Sequence, residues 1–298
     1  MQQAVALPAP LAAARPLPFT APRRSNWLAY AVLGLGVFLF ALPVWLAFVG
    51  STHEAQVVGR GELPLLPGDQ LATNYAAAWE RGASRSFAAP VRDLLWNSFL
   101  MSMAVAVGKI AVSILSAYAV VFFRFPGRMV FFWLIFITLM LPVEVRIIPT
   151  FEVMANLNLV NTWGGLIIPL IASATATLLF RQFFLTIPDE LVEAAKIDGA
   201  GPLRFLRDVV LPLSVTNIAA LFVILFIFGW NQYLWPLLVA TGPHVETIVI
   251  GIVKMIGNEA ATEWNLVMAA AMLAMLPPVA VVLLMQRWFV KGLVDTEK

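Results

Sequence analysis

Six separate stretches of this chain run for about 20 residues or more with almost no charge, and nothing else in the sequence limits the possible folds so strongly. A bilayer core about 30 Å thick needs about 20 apolar residues for one helical crossing. Inside lipid, each crossing must also satisfy its own backbone N–H and C=O groups, which a helix does. The stretches run approximately from 27 to 50, 94 to 123, 129 to 149, 163 to 185, 213 to 240 and 265 to 290. With 61% apolar and 12% charged residues and a mean hydropathy of +0.86, a water-soluble globule of this length is excluded. The fold class expected is therefore all-α integral membrane, with six transmembrane helices and both termini on one face.

Lys and Arg set the orientation, because cytoplasmic segments retain positive charge. With the N-terminus inside, the inner segments hold twelve of the 19 basic residues: Arg15, Arg23, Arg24, Arg124, Arg128, Arg181, Lys196, Arg204, Arg207, Arg287, Lys291 and Lys298. The outer segments hold Arg60, Arg81, Arg85, Arg92 and Lys254, and Lys109 and Arg146 fall within spans. Both termini are expected to be cytoplasmic. A net charge of +2 gives no footprint for nucleic acid. The absence of cysteine excludes disulfides, thiolate metal sites and cysteine nucleophiles.

Residues 1–26 carry prolines at 8, 10, 16, 18 and 22 and no acid, which predicts a disordered cytoplasmic tail ahead of a membrane domain, 27–298. Trp27 opens an apolar run too long for a signal-peptide core, and it reads as an uncleaved first span. The loop 51–93 is expected outside, large enough for a small cap or partner contact. The turn Arg124-Phe125-Pro126-Gly127-Arg128 closes an inner hairpin.

A charged segment, 186–212, interrupts the apolar pattern on the cytoplasmic side. Pro188 followed by Asp189 and Glu190 starts a helix, since proline tolerates the first turn and acids suit the positive end of the helix dipole. Gly199 and Gly201 permit a sharp turn, and Pro202 opens a second short helix with Arg204 and Arg207. The expected product is a helix-turn-helix knuckle. Leu191, Val192, Ile197, Leu203, Phe205, Leu206, Val209 and Val210 make it too apolar to stand wholly in water, so something should cover part of it.

Within that knuckle Glu193-Ala194-Ala195, Gly199, Val209, Leu211 and Pro212 are spaced as in the coupling loop of binding-protein-dependent importer permeases, the membrane subunits of ATP-binding-cassette (ABC) importers, which this chain resembles. Leu159 to Leu166 and Trp230 to Pro236 resemble the sugar-importer branch of that family. Met140 to Arg146, Ala172 to Thr177, Phe180 to Phe184 and Gly292 to Asp295 resemble its sn-glycerol-3-phosphate permeases. The Ala/Pro-rich N-terminus departs from the pattern.

The resemblance implies a MetI-like permease fold whose knuckle, with Asp198 among its residues, docks into a groove on a separate cytoplasmic ATPase. Glu193 would then pair with a basic residue of that ATPase. It also implies a second permease subunit, two copies of the ATPase, a periplasmic or extracellular solute-binding protein and a place in the bacterial inner membrane. ATP and Mg would sit on the ATPase subunits, with no cofactor on this chain.

Titratable side chains within spans are functional candidates because they are costly in lipid. Lys109 has small neighbours, Gly108, Ala111 and Ser113, that would admit another helix. It could line an anion path or neutralise a buried carboxylate. Glu144 and Arg146 lie between Pro142 and Pro149, which are expected to break the third span and leave the two side chains on one side of extended backbone. An Arg fork there suits a phosphate, and an interhelical ion pair is the alternative. Trp230, Asn231, Gln232 and Tyr233, followed by Trp235, could stack on and hydrogen-bond a polyol, or form an aromatic belt with amides holding neighbouring helices. The solute implied is sn-glycerol-3-phosphate, with a neutral sugar or polyol as the alternative.

Other function classes fit poorly. The two histidines, His53 and His244, have no metal partners at a recognised spacing, and neither a His-Glu-x-x-His nor a Gly-x-Ser-x-Gly motif occurs, so neither an enzyme nor a metal site is expected. Gly108-Lys109 is followed by Ile and lies in a span, so the chain has no phosphate-binding loop of its own. An ion-coupled carrier would have no use for the knuckle.

Overall fold

The computed structural model describes residues 27–62, 64–82, 89–140, 143–256 and 262–294, with the backbone alone for 138–140, 143–144 and 287–294. Among these residues every regular element is helical. The expected tail, 1–26, lies outside them. The chain divides into two units, Met1–Pro43 and Val44–Lys298. In the first, the described residues are the start of α1 (Trp27–Ser51), where Trp27, Tyr30, Leu33 and Phe40 are all exposed. A helix apolar on every side needs lipid or protein around it.

In the second unit, α2 (Ala55–Gly59) and α3 (Leu71–Arg81) lie in the loop expected outside. Asn74 of α3 donates to the carbonyls of Ser51 and His53, and Asn265 Nδ2 donates to Asn74 Oδ1 over 2.9 Å. This buried polar knot ties the segment to the start of α15 (Trp264–Val294).

Between them, α4 (Val91–Phe122) is the central element, packed by α8 (Ala174–Phe184) and α12 (Val215–Trp230), while α15 packs on α12. Small residues set these approaches. A Cβ on Gly229 would stand 2.9 Å from Ser102 Cα, and one on Gly108 would stand 2.7 Å from Ile171 Cγ2. Close approach at Gly108 is what the sequence led us to expect beside Lys109.

Among the described residues, three helices are long and apolar enough to cross a membrane: α1, α4 and Trp264–Gln286 of α15. They correspond to the stretches 27–50, 94–123 and 265–290. Two of the other three stretches are interrupted. In the remaining one, 129–149, α5 (Arg128–Met140) and α6 (Val143–Asn156) flank residues 141–142, so the expected break at Pro142 lies outside the described residues. In 163–185, α7 (Trp163–Ile167) and one 3-10 turn through Leu170 meet α8 at 47°. In 213–240, α12 stops at Trp230 and a short α13 (Leu234–Val239) follows.

Pro149 is accommodated inside α6. Residues 144 to 146 are therefore helical, not extended as expected, and side chains two apart on a helix do not face each other. Beyond α6, Asn158 and Asn161 take left-handed backbone, with φ of 56° and 60°, and Thr162 caps α7 by accepting from the Gly165 N–H at 3.1 Å. The signature at 159–166 thus builds a turn. After α13 the chain returns through α14 (Ile248–Met255) to α15.

Candidate functional site

Two regions hold the residues singled out by sequence. The first is the knuckle. Its leading helix, α9 (Asp189–Ile197), follows Pro188 and has no buried residue. It ends in a Schellman motif in which Ala200 N–H donates to the Ala195 carbonyl (2.8 Å), Gly199 N–H donates to the Lys196 carbonyl (3.1 Å), and Gly199 takes φ +69°. Glycine is favoured there because left-handed backbone carries no Cβ penalty. Next come α10 (Pro202–Phe205), a stretch of π-helix over Leu206–Val210 and α11 (Leu211–Leu213), which meet α12 at 74°.

Phe205, Leu206 and Val210 are buried, with Val192, Ala195, Val209 and Leu211 packed beside them. The chain itself therefore covers part of the apolar surface expected to await a partner. Tyr118 donates from Oη to the Pro202 carbonyl at 2.7 Å, and the Phe122 ring meets Phe205 edge-on at 5.3 Å, so the knuckle is seated on the end of α4. Tyr118→Phe is expected to cost about 1 kcal/mol while keeping the ring contacts. A lower thermal midpoint of the purified complex would show it; an unchanged one would mean the bond contributes nothing.

Glu193, Ala194, Asp198, Gly199 and Pro212 are exposed. Glu193 has no ion-pair partner among the described residues. Ile197 is 86% and Leu203 79% exposed. The pairs Arg204–Asp208 and Arg207–Asp208 are exposed and worth little to stability.

The second region lies within the spans. Lys109 is only 7% exposed, and its Nζ rests 3.7 Å from the centre of the Phe228 ring. None of the ion pairs among the described residues involves Lys109 or Arg146. The molecule does pair acids elsewhere: buried Glu246 sits 3.1 Å from Lys254, close enough for an ion pair though not aligned as a hydrogen bond. Of the two sequence readings for Lys109, the buried carboxylate partner is therefore not found among the described residues. The backbone of Glu144 is in α6, but its side chain lies outside the described residues.

The residues from 230 to 233 do not form one cluster. Trp230 is buried against Phe226, Asn231 is exposed, Gln232 Nε2 donates to the Phe228 carbonyl at 3.2 Å, and Tyr233 packs on a separate apolar group with Trp235. Phe228 was missed by sequence, although it lies one helical turn before Gln232 and extending the cluster backward by that turn would have included it.

The family described as binding-protein-dependent transport system inner membrane component matches residues 109–295. The sn-glycerol-3-phosphate transport system permease protein UgpE of Rhizobium meliloti is 58% identical over 275 residues, 92% of this chain and 98% of that protein. Its namesake in Yersinia enterocolitica is 57% identical over 270 residues, 90% and 96% respectively. Among solved structures, a bacterial ABC transporter involved in the import of the acidic polysaccharide alginate matches with TM-score 0.76 at 23% identity, covering 92% of this chain and 100% of that one. A chain of a bacterial alginate ABC transporter in complex with an alginate pentasaccharide-bound periplasmic protein gives TM-score 0.56 at 17% identity, covering 87% and 93%. At these identities the structural likeness speaks to the fold alone.

Proposed function

The chain belongs to the family of binding-protein-dependent transport system inner membrane components, and on that premise we propose that it is the permease subunit of an importer for sn-glycerol-3-phosphate. The observation that carries the transport reading is the knuckle, an exposed apolar tip with an unpaired Glu193, seated through Tyr118 and Phe205 on the central helix. Such a tip passes force between a cytoplasmic ATPase and the membrane helices. The substrate reading draws on the names of the relatives. It also draws on the cations Lys109 and Arg146, which no described carboxylate pairs.

In this reading the membrane domain makes six crossings, with both termini in the cytoplasm. It works beside a second permease, two ATPase subunits that hold the ATP and Mg, and an external solute-binding protein, in the bacterial inner membrane. The chain is non-catalytic. ATP-driven closure of the ATPase pair would displace the knuckle and turn the cavity outward to receive solute, and hydrolysis would return it. Because this is an exchange between two states, ATP must bind one of them more tightly.

The test is uptake of labelled sn-glycerol-3-phosphate by cells carrying all the partners, with and without this chain, in competition with excess maltose. Uptake that needs the chain and ignores maltose is the expected result. No chain-dependent uptake from a complex shown to be assembled would return the substrate to the neutral sugars.

A further inference from the structure

A second cation rests on an aromatic ring as Lys109 does. Arg181, in the last turn of α8, lays its guanidinium on the Phe132 ring of α5, with Cζ 4.7 Å from the ring centre. Its Nε is buried and has no hydrogen-bond partner, and none of the ion pairs among the described residues includes it. An arginine that merely reached for the membrane surface would direct that donor to water or headgroups.

A ring differs from a carboxylate as a partner for a buried cation. Cation–π contact is worth about 0.5 to 2 kcal/mol, yet it leaves the positive charge uncancelled, so a passing anion meets the whole of it. A carboxylate would neutralise the cation and repel the same anion.

The register between helices orders the two positions. Ser113 Oγ of α4 donates to the Ser173 carbonyl at the start of α8, and Phe122 of α4 meets Phe184 at its end with ring centres 6.0 Å apart. The helices therefore run parallel, and Arg181 lies level with the stretch around Ala119. That is about ten residues, or roughly 15 Å, along α4 from Lys109.

We infer that Lys109 on Phe228 and Arg181 on Phe132 are two successive stations for the phosphate group of the solute, Arg181 being the one nearer the knuckle. The inference rests on the proposed anionic substrate. Each ring keeps its cation in place between passages, and the phosphate draws the cation from the ring when it arrives.

The test uses the complete complex in proteoliposomes with saturating solute-binding protein, measuring labelled sn-glycerol-3-phosphate taken up per ATP hydrolysed. Arg181→Gln and Lys109→Gln are each expected to lower that ratio at least tenfold, and Arg181→Lys is expected to recover a substantial part. Parental coupling in Arg181→Gln beside a damaged Lys109→Gln would overturn the second station and leave the anionic substrate standing. Parental coupling in both would overturn both stations. A loss that Lys does not recover, or one in which ATP hydrolysis falls in step with uptake, would make Arg181 a structural residue and overturn its role. A parental complex that moves no sn-glycerol-3-phosphate would overturn the substrate reading and the inference together.

Discussion

Glu193→Lys is expected to abolish uptake while leaving the chain inserted in the membrane. Glu193 is exposed on a helix that buries no residue, and it has no ion-pair partner among the described residues, so its replacement breaks nothing within the fold. Glu and Lys also have similar helix propensities. The whole effect should therefore fall on docking, where an attraction to a basic residue of the ATPase becomes a like-charge contact costing several kcal/mol. That is a loss of about a hundredfold or more in productive assembly. The measurement is solute uptake beside membrane content of the variant; normal transport would remove Glu193 from the coupling interface.

Gly165→Ala should be the most damaging single-methyl change in the turn between α6 and α7. A Cβ at Gly165 would fall inside the Leu159 carbonyl group and 3.1 Å from Val239 Cγ1, with backbone on one side and a buried side chain on the other. Neither can yield locally. Shifting α7 would pull the Gly165 carbonyl away from Trp235 Nε1, which donates to it at 3.1 Å, and would disturb the cap at Thr162. Overpacking of this kind costs about 3 kcal/mol or more. Gly164→Ala is the matched control, since its Cβ would meet Leu159 Cδ2 at an ordinary 3.4 Å. It is expected to change stability by less than about 1 kcal/mol. Thermal midpoints of the two variants should separate clearly, and equal midpoints would mean that the turn relaxes freely.

The continuous helices were legible because hydropathy reports solvent, and α1, α4 and Trp264–Gln286 of α15 each carry an unbroken apolar run long enough to cross a membrane. Hydropathy does not report backbone continuity, and the stretches 163–185 and 213–240 read as single spans although Pro169 and the Asn231-Gln232 pair stand at or near their interruptions. Proline was also an uneven guide, since Pro149 lies within α6. The knuckle was legible because its turn is local chemistry: an acid-rich start after Pro188 and a left-handed Gly199. The partner of Lys109 was not legible, because Phe228 lies 119 residues away and is brought to it by the packing of α12 on α4. Likewise nothing in the sequence distinguished Trp230, which faces the core, from Gln232, which bonds toward Phe228.

The 74° bend between Pro202–Leu213 and α12 makes a crank with its fulcrum at Ser214. Ser214 stiffens that fulcrum by donating its hydroxyl to the Val210 carbonyl and its N–H to the Val210 and Leu211 carbonyls. The arm on the knuckle side is about 18 Å long, and the arm from Ser214 to Phe228 is about 21 Å. With arms of similar length, a bend that holds rigid returns a displacement at Pro202 almost undiminished at Phe228. Movement of the 202–213 arm would therefore shift the aromatic seat on which the Lys109 ammonium rests, 3.7 Å from the ring centre.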